Sequence, residues 1–229
     1  MNVVIDGIPV TITKKKIKNL HLTVKPPDGR VEVSAPMRMS NDYIVSFVAS
    51  KTDWIRKQQA KLSQRGLPTE HRYVSGETLY VMGIPYTLRL IEGSISSVTV
   101  NGDEVVLTAK AGSSTEQRSD IIKEWYRSIL KVEVAEYLPK WETITGLHCS
   151  SWQSKQMTSR WGTCNTKTGK IWLNVQLAKA EPRCLEYVIL HELAHLKVSN
   201  HGPDFKALLD YYMPEWREVK KRLSGVQYM

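Results

Sequence analysis

Three features of this 229-residue chain predict an α+β architecture. Residues 1–110 alternate apolar and polar side chains in short runs separated by Gly- and Asp-containing turns, the behaviour of strands. Beyond residue 110, apolar residues recur at helical spacing. Within that half, the apolar segment Leu185–Leu196 is interrupted by His191, Glu192 and His195. The expected organisation is a β-rich N-terminal region over 1–110 with one helix at about 40–62, then a second domain over 111–229.

Val3-Val4-Ile5 and Pro9-Val10-Thr11-Ile12 flank Asp6-Gly7, a pair suited to the positive-φ positions of a hairpin turn. Leu20–Val24 alternates, Pro26-Pro27-Asp28-Gly29 turns the chain, and Arg30–Val33 returns until Pro36 stops it. Ser40 caps a helix to about Leu62, with Ile44, Phe47, Val48, Trp54 and Ile55 on its apolar side. A loop around Arg65-Gly66-Leu67-Pro68 follows. Leu79–Met82 and Tyr86–Leu90 flank Gly83, and Val98–Val100 and Val105–Leu107 flank Asn101-Gly102-Asp103, a second hairpin signal. A helix is predicted from about Thr115 to Trp141, with Ile121, Trp125, Ile129, Val132 and Leu138 as its stripe and Gly146 as its stop. Ser151–Met157 and Lys170–Val175 read as strands. The segment Ile171–Val175 is expected at a sheet edge, where an extended substrate would add. The histidine-bearing helix starts after Pro182, and helices at about Pro203–Tyr212 and Pro214–Leu223 finish the chain. No solenoid-type repeat is visible.

Net charge is +9 and the isoelectric point about 9.4, so the surface attracts polyanions, nucleic acid among them, although no helix-turn-helix or finger signature is present. Lys14–Lys18 and Lys220-Lys221-Arg222 are the local basic clusters. No run of about 18 apolar residues indicates a membrane span. Met1–Asp6 lacks a basic stretch followed by an apolar one, and Cys149, Cys164 and Cys184 are odd in number with no C-x-x-C pairing. Both point to a reducing, cytoplasmic setting.

The chemistry lies in His191-Glu192-Leu193-Ala194-His195, an H-E-x-x-H motif. On a helix, positions i and i+4 lie one above the other, so the two imidazoles can hold one ion. Glu192 then sits where its carboxylate reaches a water rather than the metal, the arrangement of a zinc hydrolase. Unpartnered imidazole and carboxylate inside an apolar helix cost several kcal/mol, and a metal supplies the partner. A chain reversal near Ser199 or Asn200 brings His201 back as third ligand; Glu215, Glu218 and Asp204 are the rivals.

Four ordered segments, Ser159–Cys164, Ile171–Asn174, Tyr187–Leu196 and Asn200–Phe205, together with Leu20–Val33, Ala35-Pro36 and Asp53-Trp54-Ile55, closely resemble the YgjP-like metal-dependent hydrolases. That family is related to the minimal zincin peptidases (minigluzincins) and SprT-type proteases. The resemblance covers nearly the whole chain, so that the whole counts as one family domain. It implies a zincin-like catalytic domain, carrying the HExxH helix and a small sheet, behind the β-rich region. It also supports His201 as ligand to one Zn2+ ion. The expected activity is a metallopeptidase acting on a protein or peptide, with Glu192 as general base. Two alternatives stand beside it: a UTP-type nucleotide pyrophosphatase using the same metal, and a protease acting on nucleic-acid-bound proteins. Arg160, Asn174 and Tyr187 are candidates for transition-state or substrate contact, each with a structural reading as well. Trp161 and Gly162 read as fold-determining.

Overall fold

The first hairpin forms as its turn residues require. β1 (Asn2–Ile5) passes through Asp6 (φ 49°) and Gly7 (φ 80°) into β2 (Ile8–Lys15). The computed structural model describes residues 1–25, 28–64 and 71–226. The expected loop at Arg65–Pro68 and the Pro26-Pro27 half of the first turn lie outside the described residues. Contacts divide the chain into two units, Met1–Thr69 and Glu70–Met229.

In the first unit, β3 (His21–Lys25) and β4 (Arg30–Pro36) complete a sheet of order β1-β2-β4-β3, with β2 and β4 parallel. Its apolar face, Ile8, Val10, Ile12, Val31 and Val33, packs on Ile44, Val48 and Ile55. Ser40 caps the following helix as expected, its Oγ accepting the Tyr43 N–H at 3.3 Å. The single helix expected over about 40–62 is instead two, α1 (Asn41–Ala49) and α2 (Thr52–Gln64). Side chains break it: Ser50 Oγ donates to the Phe47 carbonyl at 2.7 Å, and Thr52 Oγ1 lies 2.9 Å from the Ala49 carbonyl and 2.8 Å from Asp6 Oδ2. The break turns Trp54 outward and leaves Ile55 as the buried residue.

The second unit opens with β5 (Thr78–Val81), β6 (Ile84–Glu92), β7 (Ser97–Asn101) and β8 (Glu104–Ala109), in the order β5-β6-β8-β7 with β6 and β8 parallel. This repeats the topology of the first sheet. The correspondence extends to sequence: Gly7-Ile8-Pro9 matches Gly83-Ile84-Pro85, and Leu22-Thr23-Val24 matches Val98-Thr99-Val100. Ser114 caps the helix after this sheet as Ser40 does the first, here in a reciprocal capping box with Gln117.

That helix, α3 (Thr115–Thr145), runs past the expected end at Trp141 and closes on left-handed Gly146. Its buried row is Ile122, Tyr126, Leu130, Val134 and Trp141, one to three positions beyond the expected stripe; Val132 is 69% exposed. Neighbouring i, i+4 rows are both apolar here, and only the partner surface decides which faces inward. β9 (Ser151–Lys155), β10 (Gly162–Asn165) and β11 (Lys170–Asn174) form a sheet of order β10-β11-β9. The expectation that Ile171–Val175 lies at an edge is therefore corrected: β11 is central, hydrogen-bonded on both sides, and the edges are β10 and β9.

A buried 3-10 helix, Val175–Lys179, follows, then α4 (Pro182–Ala194), α5 (Pro203–Tyr212) and α6 (Trp216–Leu223). The β5–β6 turn is fastened to the 3-10 helix by Met82 N–H to Ala178 O (2.8 Å) and Gly83 N–H to Lys179 O (3.0 Å). A Cβ at Gly83 would stand 3.0 Å from Glu181 Cα, so glycine is required there by contact as well as by its positive φ. Leu79, Leu88 and Leu107 thus share one core with Leu130, Leu185, Ile189 and Leu193.

Lys179 is buried with its Nζ 5.2 Å above the Tyr126 ring centre and no carboxylate against it among the described residues. Burial pulls its pKa from 10.5 down to about 8. Between those values the unfolded chain binds more protons than the folded one. The cost is therefore full below pH 8 and is relieved as pH rises toward 10.5. Lys179→Met is expected to stabilise the protein by about 2 kcal/mol at pH 7, with the gain shrinking near pH 10, in urea unfolding at the two pH values.

Candidate metal centre

α4 is apolar on nearly every side because it is enclosed on nearly every side. From Cys184 to Ala194 every residue is buried except His191, which is partly so. Its one other buried acid, Glu186, is satisfied by Lys140 Nζ (2.8 Å), Arg183 Nη1 (3.3 Å) and Trp141 Nε1 (3.1 Å). The helix ends at Ala194 rather than near Ser199, with His195 as its C-cap. Tight bonds from Leu196 N–H to Leu193 O and from Lys197 N–H to Ala194 O carry the reversal. No residue between 195 and 201 takes a positive φ, so the turn does not use Asn200 as a left-handed cap. Asn200 Oδ1 instead accepts the Gly202 N–H at 2.9 Å just before Pro203 opens α5.

The turn brings three imidazoles together. His191, His195 and His201 each present a ring nitrogen such that all three atoms lie within 4.8 Å of one another. The Nε2 atoms of His191 and His201 are 3.1 Å apart. Tetrahedral zinc with Zn–N near 2.0–2.1 Å would place two such nitrogens about 3.3 Å apart. On His191 and His195 the opposite ring nitrogen is engaged by the protein. His195 Nδ1 lies 3.2 Å from the Val198 carbonyl, and His191 Nδ1 lies 3.5 Å from the Tyr187 hydroxyl. Such outer partners fix ring orientation and leave Nε2 facing inward. Burial, then His195 and His201, hold the His191 pKa at about 3, and burial also lowers that of His195, so their lone pairs are free near neutrality. Three convergent imidazoles fit a borderline divalent cation.

Phe205, fully buried, lies beneath all three rings, with centroid distances of 4.9, 4.7 and 4.8 Å to His191, His195 and His201. Residue pattern alone did not single it out as a support. The rivals for third ligand lie elsewhere: Glu215 pairs with Arg183, and neither Glu218 nor Asp204 belongs to the convergent group.

Glu192 is 4% exposed, and burial lifts its pKa to about 8, opposed by Arg160. Its carboxylate rests against Gly162 of β10. A Cβ there would meet Glu192 Oε1 at 2.6 Å and Cγ at 2.8 Å. Gly162 is thus a residue whose missing side chain makes room for Glu192, a contact between distant segments that spacing cannot reveal. The cleft over the histidines is lined by Arg160, Gly162, Cys164, Tyr187, Glu192 and Lys220, among others. Burial, then Glu192, lifts the Cys164 thiol to about 11, so it is protonated. All three cysteines are free.

Of the three further candidates, two reach the cleft. Arg160 lines it on the loop before β10, and Tyr187 lines it while meeting His191 edge-on. Asn174 does not. It is fully buried and spent within the fold, donating to Met157 O (2.9 Å) and Arg160 O (2.8 Å) and accepting from the N–H groups of Gln176 (3.2 Å) and Met157 (3.4 Å). Its placement is that of a clamp on the segment carrying Arg160.

A sequence model of the family described as "YgjP-like, metallopeptidase domain" matches residues 18–225. Two crystal structures of metallopeptidase zymogens are similar at 25% identity. Abylysin of Pyrococcus abyssi matches over 39% of this chain and 90% of its own, with a TM-score of 0.37. Jannalysin of Methanocaldococcus jannaschii matches over 40% and 93%, with a TM-score of 0.36. No curated protein matches the chain. No described helix is long and apolar enough to cross a membrane.

The geometry predicts about one divalent metal ion per chain by elemental analysis. His201→Ala should weaken binding about a hundredfold or more and Tyr187→Phe about tenfold, read by chelator competition. Undiminished affinity in the His201 variant would return the third position to an acid such as Glu215.

Proposed function

The chain belongs to the YgjP-like metallopeptidase family, and from that membership we propose a specific reaction for it: zinc-dependent hydrolysis of a peptide bond with Glu192 as general base. The observation that carries the reading is the meeting of three imidazoles with a buried carboxylate beside a free strand edge.

His191, His195 and His201 would hold the ion, which supplies Lewis acidity and lowers the pKa of water toward neutrality when bound. Glu192 takes the proton from the attacking water and delivers it to the leaving amine. A carboxyl held near 8 by burial suits both halves of that exchange. Gly162 keeps Glu192 close to the reacting centre because no side chain intervenes. Arg160 and Tyr187, both lining the cleft, are the donors available for the developing oxyanion, and Asn174 fixes the Arg160 backbone. The substrate lies extended along β10, whose outer edge is unpaired in the sheet and whose residues line the cleft. That edge favours a peptide over a nucleotide, for which the chain offers no Gly-rich phosphate loop.

Glu192→Gln is expected to keep its metal and lose about a thousandfold or more in kcat against any peptide the wild type cleaves; full activity would sink the general-base assignment. Gly162→Ala should also keep metal while lowering kcat about ten- to a hundredfold, since the added methyl displaces the Glu192 carboxylate. Nucleoside triphosphates assayed in parallel serve as the competing substrate class.

A further inference from the structure

We propose that the cleft selects peptides bearing a carboxylate next to the scissile bond, with Arg160 and Lys220 as the residues that recognise it. This rests on the peptidase reading above and adds the substrate's charge.

The lining of the cleft holds two fixed cations, Arg160 and Lys220, and Glu192 as its one carboxylate. The cations come from different walls, Arg160 from the loop entering β10 and Lys220 from α6. Three arginines on α4 and α6 are already neutralised within the fold: Arg217 by Asp210, Arg222 by Glu181 at 3.1 Å, and Arg183 by Glu215 and Glu186. Neither Arg160 nor Lys220 forms an ion pair within 4.0 Å among the described residues, although the Arg160 charge acts on Glu192. Two cations that form no ion pair and face one cleft raise the positive potential there and favour an anionic ligand group.

Both positions are set by contacts inside the protein. Asn174 grips the Arg160 carbonyl at 2.8 Å, and Gly162 follows closely in β10. On the other wall, Lys220 Nζ lies 5.8 Å from the Trp216 ring centre. Trp216 stacks on Tyr187 with an interplanar angle of 5°, and Tyr187 meets His191 edge-on at 5.7 Å. Trp216 is itself pinned by Nε1 donating to Asp210 Oδ1 at 2.8 Å. The aromatic series thus fixes the helix face that carries Lys220, whose charge acts on His191. A carboxylate of a bound peptide, reached from either wall, forms charge-assisted hydrogen bonds in a partly desolvated site. The carboxylate is that of an Asp or Glu side chain or of a free C-terminus. Both share this chemistry and are separable by experiment.

The test uses the zinc-loaded full-length protein and fluorogenic peptides of one scissile sequence with Glu, Gln or Lys on either side of the bond, each with free and amidated C-termini. Glu peptides should exceed Gln peptides about tenfold in kcat/KM, and Lys peptides by more. Persistence of the preference on amidation identifies the side chain as the source, and its loss identifies the C-terminus. Lys220→Glu should invert the Glu-over-Lys ratio, and Lys220→Arg should preserve it, which separates charge recognition from a packing role. Binding of the same peptides to zinc-loaded Glu192→Gln, read by tryptophan fluorescence, reports independently of turnover. Equal rates for the three charge classes overturn the inference and leave the peptidase reading standing. Charge-dependent, Lys220-dependent binding with no cleavage by the wild type keeps the carboxylate site and overturns the peptidase reading. Neither cleavage nor charge-dependent binding overturns both, and tighter binding of a nucleoside triphosphate than of any acidic peptide overturns the inference in favour of phosphate.

Discussion

Everything in the second unit is arranged around the burial of α4. A helix enclosed on nearly all sides gains apolar burial from Leu185, Val188, Ile189, Leu190 and Leu193, and in exchange must carry His191 and Glu192 into the same low-dielectric surroundings. Those groups are tolerable only where partners are supplied. For His191 the partners are a neighbouring histidine 3.1 Å away and the Tyr187 hydroxyl; for Glu192 they are the nearby Arg160 charge and the space left by Gly162. The same enclosure that raises the cost also tunes the chemistry, since it lowers the pKa values of His191 and His195 and holds the Glu192 carboxyl near 8.

Support for the site comes from elements that contribute no ligand. Phe205 opens α5 beneath all three imidazoles, so the helix that follows His201 also fixes the floor on which the rings stand. Asn174 ends β11 and ties the loop before β10 to the start of the 3-10 helix through four hydrogen bonds. Trp216 on α6 stacks on Tyr187 of α4, which joins the last helix to the metal-binding face. Each support acts by limiting where a side chain of the site can stand.

The two four-stranded sheets share one strand order and one pattern of pairing, with related residues at the first turn and in the third strand. Their partners differ. The first sheet covers its apolar face with the broken pair α1 and α2, whereas the second is fastened through Gly83 to the segment that leads into α4 and shares its core. One topology thus serves once packed on its own pair of helices and once as part of the scaffold of the histidine-bearing helix.

The sequence by itself determined what depends on neighbours along the chain. Hairpin turns at Asp6-Gly7 and Gly83, caps at Ser40 and Ser114, the stop at Gly146 and the start of α5 at Pro203 are local stereochemistry and fall where the residues place them. The approach of His191 to His195 is helix geometry, and the approach of His201 needs only a short reversal, so the three-histidine group was legible too. Tertiary structure decided the rest. Which of two apolar rows on α3 turns inward depends on the surface it meets, and whether β11 is an edge or a centre depends on β9 and β10 arriving from either side. The room for Glu192 depends on a glycine 30 residues away in sequence. Spacing along one helix fixes directions in space, but only packing fixes which distant atom stands at the end of them.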